Sequence, residues 1–280
     1  MGIQFLVDSA SDVLPREAKS LGVTHLPLTV SFGEETYQDA VDISHEEFYE
    51  KLANCKTLPT TSQISPAFFE EHFQKLTEAG DSVVAITISS KLSGTYQSAM
   101  IAAGEYPGKV FVVDSLTAAV GERILLQRGL ELEKQGLSAE KIANALDEEK
   151  KRLHLVAIID TLEYLKKGGR ISSAVAIAGG LLGVKPAVEV KDGRVVMAGT
   201  ARGAGKCHSL LKDLIQKKGG IDFEKPFGAV YSGKDDTLLR EFLNDSTELW
   251  QGHMPPVCSL GSAIGTHIGT GAYGVAFFER

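Results

Sequence analysis

Residues 82–88 read Ser-Val-Val-Ala-Ile-Thr-Ile, a β-rich run without polar alternation. A strand wetted on one face alternates; an unbroken run belongs to a strand covered on both faces, as in parallel sheets flanked by helices. The hydroxyl- and glycine-bearing stretch Ser89-Ser90-Lys91-Leu92-Ser93-Gly94-Thr95 follows at once, and helical composition resumes over residues 95–103. This strand–loop–helix order recurs. β-rich runs at 3–7, 26–30 and 110–113 alternate with helical stretches at 12–21, 43–52 and 65–76, and long helices reach residue 152. Asp12, Ser44 and Ser65 are the expected N-terminal caps, and Pro66 suits a first helical position. Gly80 follows the third of these helices. The order implies a mostly parallel sheet with helical covers.

The texture changes near residue 154. A strand is expected at 154–159, and short strands at 187–190 and 195–198 flank Asp192-Gly193, a strong two-residue hairpin signal. A helix near 205–217, a strand at 227–231, a helix near 235–243 and strands near 257 and 275 complete the chain. The expected class is α/β in two lobes, a mostly parallel N-terminal lobe (1–155) and a mixed α/β C-terminal lobe (156–280). No Pro/Ser-rich linker separates them, so close packing is expected.

The formal net charge is -7. An acidic surface repels phosphate backbones and anionic headgroups, which argues against nucleic-acid binding and allows at most transient membrane contact. No apolar run reaches the roughly 18 residues of a membrane span. The first residues lack the basic and apolar regions of a signal peptide, so the expected compartment is the cytoplasm. Cys55, Cys207 and Cys258 are widely spaced and odd in number, and no histidine pair has metal spacing. No metal and no cofactor are expected.

Four segments carry candidate chemistry. The stretch 89–98 places hydroxyls and a glycine between a strand and a helix, an arrangement suited to an anion; alternatively Ser93 or Ser90 merely caps the helix. In open α/β sheets such a loop lies at the ligand-binding edge. Residues 59–66 bring Thr60, Thr61 and Ser62 before another helix, as a turn with a cap or as a second wall of donors. Residues 160–172 suggest a short helix ending at Gly168-Gly169, with Arg170 heading a further helix or standing as a surface charge. Residues 265–274 are dense in glycine, implying an unusual backbone path, and hold His267, either a donor to an anion or a satisfied loop histidine. Gly199 to Lys206 fails as a P-loop, since the spacing is one residue too long and Cys207 replaces Ser or Thr. No G-x-S-x-G elbow surrounds a serine.

Together these segments resemble the DegV family of bacterial fatty-acid-binding proteins. The match spans the chain, through Val7-Asp8-Ser9, Ser11-Asp12, Asp42-Ile43-Ser44, Phe48-Tyr49 and Thr60-Thr61-Ser62-Gln63. It continues through Leu92-Ser93-Gly94-Thr95-Tyr96-Gln97-Ser98, Gly168-Gly169-Arg170-Ile171-Ser172, Lys185-Pro186, Arg202 and Gly265-Thr266-His267-Ile268-Gly269. Thr270 and Ile64 stand where the resemblance leads one to expect proline. The resemblance implies a two-lobed DegV-type fold with a long-chain fatty acid, such as palmitate, buried as its ligand. It implies a carboxylate held by the hydroxyls of Thr61 and Ser93 and the Gly94 N–H, with His267 in the hydrogen-bond network. Ser62 and Thr95 would support the site, and Arg170 and Arg202 would serve the entrance or a partner. It further implies a non-catalytic, monomeric carrier that presents its ligand to an ATP-dependent fatty acid kinase for phospholipid synthesis. Two rival readings use the same residues: an acyl hydrolase or transferase with Ser93 as nucleophile and His267 as base, and a sensor of small anions or nucleotides.

Overall fold

The computed structural model describes residues 2–171 and 183–280. Strand β1 (Ile3–Asp8) is followed by α1 (Pro15–Leu21) and β2 (Val23–Leu26). Asp12 does not cap α1, contrary to the sequence expectation. Leu14 takes that position and Pro15 starts the helix, while Asp12 is buried with a positive φ of 57°. The strand expected at 26–30 is also broken: β2 ends at Leu26, and β3 (Thr29–Phe32) belongs to a different sheet. Pro27 lies in the gap and has no N–H to offer a ladder.

β4 (Glu35–Gln38) leads into α2 (His45–Asn54), whose Ser44–Glu47 capping box fixes its start. Residues 60–62, read from sequence as a turn or donor wall, form a short strand, β5 (Thr60–Ser62). α3 (Pro66–Thr77) begins at a Ser65 cap, as expected. β6 (Ser82–Thr87), α4 (Thr95–Ala103) and β7 (Val110–Asp114) follow, then α5 (Val120–Lys134) and α6 (Ala139–Glu149). The rest comprises β8 (Leu153–Ile158), α7 (Glu163–Lys167), β9 (Val184–Lys191), β10 (Arg194–Arg202) and α8 (Ala204–Lys217). Last come β11 (Gly228–Tyr231), α9 (Thr237–Asn244), α10 (Thr247–Trp250), β12 (Val257–Ser259), α11 (Ser262–Ile268) and β13 (Tyr273–Phe278). Ser172 and the helix expected beyond Arg170 lie outside the described residues.

The described residues form three sheets. The first, β2-β1-β6-β7, is wholly parallel. β6 lies inside it and is buried from Val83 to Thr87, which accounts for its uniformly β-rich sequence. The second sheet runs β10-β9-β8-β13-β11-β12, antiparallel except for its β11–β12 pair. The third, β4-β3-β5, is a small antiparallel sheet.

Period-two alternation sorts the cores. On β1 and β6, Leu6, Val83 and Ala85 face α3 and α4. Phe5, Val7, Val84 and Ile86 face α5 and α6, sharing that layer with Val230, Ala276 and Phe278 of the second sheet. Val156, Ala229, Val275 and Phe277 point the opposite way, toward α8 and α9. The α5 layer therefore lies between the two large sheets. Among the described residues, no helix is long and apolar enough to cross a membrane.

At the β9–β10 hairpin, Asp192 and Gly193 have φ of 50° and 78°, the pattern of a type I′ turn. The Ser89 hydroxyl donates to the Gly193 carbonyl at 2.8 Å, so the tip of the hairpin holds the first residue of the loop after β6. A Cβ at position 193 would lie 2.5 Å from Ser89 Oγ. Gly193→Ala is expected to destabilise the fold by about 1–3 kcal/mol through backbone strain and crowding. Urea denaturation checks this; an unchanged midpoint contradicts it.

Candidate functional site

Three structural pieces converge beyond the carboxyl ends of the parallel strands. The first is the loop from β6 to α4. Within it Ser93 Oγ accepts the Thr95 N–H at 3.2 Å and shares a 2.9 Å hydrogen bond with Thr95 Oγ1. Thr95 is buried, so its hydroxyl supports Ser93 from behind and does not itself line the cavity. Among the described residues, no protein acceptor takes the Gly94 N–H. Gly94 has no Cβ because Gln63 occupies that space: a Cβ there would collide with Gln63 Oε1. Gln63 Nε2 donates onward to Ser98 Oγ at 3.0 Å. The space a Cβ would fill at this glycine is thus taken by a side chain.

The second piece is β5, which presents Thr61 opposite Val30 of β3. The third is α11, whose last turn carries His267. The glycine-dense segment at 265–274 is therefore helical at its start, and its unusual path begins at Gly269. His267 Nε2 and Thr61 Oγ1 are 2.8 Å apart, joining the small sheet to the helix. Burial first, and then the positive charge of Arg170, lower the His267 pKa to about 4. Its Nδ1 is buried without a hydrogen-bond partner among the described residues.

Arg170 ties the first of these pieces to the end of α7. Its Nε donates to the Leu92 carbonyl at 3.1 Å and its Nη1 to the Gly168 carbonyl at 2.6 Å. Thr61, Ser62, Ser93, Gly94, Arg170 and His267 all line one cavity of about 410 Å³. Arg202 does not; it is exposed at the end of β10. Gln63, which the sequence reading did not single out as a site residue, also lines the cavity. Its place in the run beside Thr61 and Ser62 was the available signal.

Away from this polar end the lining is apolar. Leu28, Ile88, Leu92 and Ala118 come from the first half of the chain, and Ala263, Ile264 and Ile268 from α11. Leu155, Val188, Val195 and Val230 come from the second sheet. Glu189 is the exception, and it is paired with Lys218 at 2.6 Å. The geometry does not pair Ser93 with His267: Ser93 is engaged by Thr95, and His267 by Thr61. A nucleophile–base relay through those two residues is therefore not formed. No group of three or more His, Cys, Asp or Glu side chains suited to a metal occurs among the described residues.

Comparison with known proteins gives a consistent picture. Residues 2–280 match the family model described as "Uncharacterised protein, DegV family". A DegV domain-containing protein of Caldanaerobacter subterraneus subsp. tengcongensis is 36% identical over 284 residues, covering 99% of each chain. A DegV family protein from Thermus thermophilus, described as binding fatty acid, has a solved structure that is similar with a TM-score of 0.89. It is 35% identical, and the similarity covers 100% of both chains. A stearic acid-binding protein from Eubacterium ventriosum is similar at TM-score 0.85 and 29% identity, over 97% of this chain and 96% of that one.

The low pKa of His267 has a testable consequence. The folded protein disfavours the imidazolium, whereas the unfolded chain protonates near 6.5. The stability this residue contributes is complete above 6.5 and is lost as pH falls toward 4. The side-chain nitrogen resonances of His267 are expected to report a neutral ring at pH 5; a ring that titrates near 6.5 contradicts the geometry.

Proposed function

The chain belongs to the DegV family, and from that premise we propose that it binds a long-chain fatty acid, holding the carboxylate at Thr61 and Ser93 and burying the acyl chain in the cavity. The observation that carries this reading is the cavity's asymmetry: paired hydroxyls at one end and aliphatic side chains over most of the rest. A volume of about 410 Å³ falls within the roughly 300–1,000 Å³ usual for small-molecule sites.

The hydrogen-bond directions favour an anion. An unpaired buried N–H is rarer than an unpaired acceptor, so the His267 proton belongs on Nε2 and not on the partnerless Nδ1. Nε2–H then donates to Thr61 Oγ1, which leaves the Thr61 hydroxyl proton for a ligand. Likewise, when the Thr95 hydroxyl donates to Ser93 Oγ, beside the Thr95 N–H that already does, the Ser93 proton is free to point into the cavity. The Gly94 N–H adds a third donor. A carboxylate can be buried only with such compensation. Hydrogen bonds to a charged group contribute about 1.5–3 kcal/mol each. A tail of ~14 methylenes contributes on the order of 11 kcal/mol gross. The tail dominates affinity, while the hydroxyls fix orientation and select acids.

In this reading the protein is a carrier and not a catalyst. Its lobes, residues 1–155 and 156–280, enclose the ligand between them. It works in the cytoplasm and presents the carboxylate to a separate ATP-dependent fatty acid kinase, with exposed Arg202 available to such a partner and Ser62 and Arg170 beside the ligand head.

The test is organic extraction of the purified protein followed by mass spectrometry, with affinity measured after delipidation. Wild type is expected to yield roughly stoichiometric long-chain acid. Ser93→Ala is expected to weaken acid binding about tenfold to a hundredfold while keeping the cavity. Protein free of lipid that also fails to bind palmitate, or a Ser93→Ala variant with undiminished affinity, overturns the reading.

A further inference from the structure

Asp39 lies outside the cavity lining, yet it is tied to both halves of the Thr61–His267 contact. It directly follows β4, and its own N–H donates to the Leu28 carbonyl at 2.9 Å, just ahead of β3. β4 pairs with β3 and β3 with β5, so Asp39 belongs to the small sheet that presents Thr61. Its side chain reaches the opposite way. Asp39 Oδ1 accepts the Ser262 N–H at 2.8 Å and the Ser262 hydroxyl at 2.6 Å, at the first turn of α11. His267 stands five residues further along that same helix. The path Thr61, β5, β3, β4, Asp39, Ser262, α11, His267 therefore closes on itself through the 2.8 Å Thr61–His267 hydrogen bond.

A helix held at one end can pivot about that point. Fixed by Asp39 at its start and by Thr61 at its last turn, α11 meets the small sheet at two points. Gly261 is held as well, by Asp12 Oδ1 at 2.7 Å, but Asp12 belongs to the segment after β1 and not to the small sheet. Asp39 is therefore the side chain that sets α11 relative to the strand carrying Thr61. It is 1% exposed, and a carboxylate so deeply buried is costly unless its bonds are made. Its two bonds to Ser262 take up one oxygen, and Oδ2 has no partner among the described residues.

We propose that Asp39 is a positioning residue for carboxylate recognition: by clamping Ser262 it places His267 so that Thr61 is aimed at the ligand. This inference rests on the cavity being a fatty-acid site. It adds a specific claim, that Asp39 acts on the head of the ligand and not on its tail.

Palmitate and 1-hexadecanol separate the two roles, because they share a tail and differ in the head. Binding of each is measured for delipidated wild type, Asp39→Ala, Thr61→Val and the double variant. Asp39→Ala is expected to weaken palmitate about tenfold or more and hexadecanol less than about twofold. In the Thr61→Val background Asp39→Ala should add little further loss, since both act through one hydroxyl. Asp39→Asn retains a carbonyl oxygen at Oδ1 and should restore most of the palmitate affinity. Equal losses for acid and alcohol mark Asp39 as general scaffolding and overturn the proposal, as do fully additive losses with Thr61→Val. If Asp39→Ala does not fold, Ser262→Ala removes the 2.6 Å bond alone. It must show the same acid-selective loss in smaller measure, and a Ser262→Ala variant binding both ligands as wild type does overturns the proposal. Wild type that binds palmitate while Asp39→Ala matches it sinks only this role; wild type that binds neither ligand sinks the fatty-acid reading and this role with it.

Discussion

The hydrogen bond between Thr61 and His267 is the contact on which the polar end of the cavity depends. It joins a three-residue edge strand to the last turn of a seven-residue helix, two elements too short to hold a fixed geometry by themselves. Their stability is borrowed. Among the described residues β5 is paired only with β3, and α11 packs on α2 through Gly265, where a Cβ would lie 2.5 Å from the Phe48 ring. The small sheet packs on α2 through Val30, and α11 reaches the core of the parallel sheet through Ala263, while the loop after β6 supplies Ser93. The site is thus assembled from three separate supports, and its accuracy is a property of how they dock.

Much of this was legible from residues. The uniform β-rich run at 82–88 identified the buried parallel strand, Asp192-Gly193 identified the hairpin, and Ser44, Ser65 and Pro66 marked helix starts that the fold keeps. The errors share a cause. Asp12 looks like a cap because caps are recognised by local pattern, but a distant partner, the Gly261 N–H, claims its carboxylate. Residues 60–62 read as a turn because three residues give no periodicity; only the pairing with β3 makes them a strand. Gly265, which helped disguise α11, is there for close contact with α2, which overrides its poor helix propensity. Local chemistry was readable, and long-range pairing was not.

The same distinction applies to the site. Thr61, Ser93 and His267 stood out as polar residues in suggestive loops, yet no spacing in the chain states that the histidine meets the threonine and not the serine. That choice separates a binding site from a nucleophile–base pair. It is made by tertiary placement: Thr95 supports Ser93 from its own helix, while α11 carries His267 to the small sheet. Gln63, by filling the space that Gly94 leaves open, fixes the β5 segment against the loop of Ser93. Asp39, eventually the most informative polar residue outside the cavity, carries no local signature at all.

The acids buried behind this site impose a further constraint. Asp8, Asp12, Asp39 and Glu122 are all buried, and desolvation, with repulsion among them, raises Asp8 to about 7 and Asp12 and Glu122 well above the usual carboxylate range. Two unit charges about 8 Å apart in an effective dielectric of about 20 repel by about 2 kcal/mol, so a fully ionised cluster would oppose any anion held nearby. The fold limits that field in two ways. Asp8, Asp12 and Asp39 each receive backbone N–H donors, from Ala10 and Ile88, from Gly261, and from Ser262. Glu122 receives none among the described residues, and burial pushes its carboxyl well above the usual carboxylate range. Arg170, held by carbonyls at the cavity wall, contributes the opposite sign where the ligand head would lie. Arg170 thus leaves the head of the cavity more favourable to an anion than the abundance of nearby acids suggests, and the hydroxyls add directional hydrogen bonds to it.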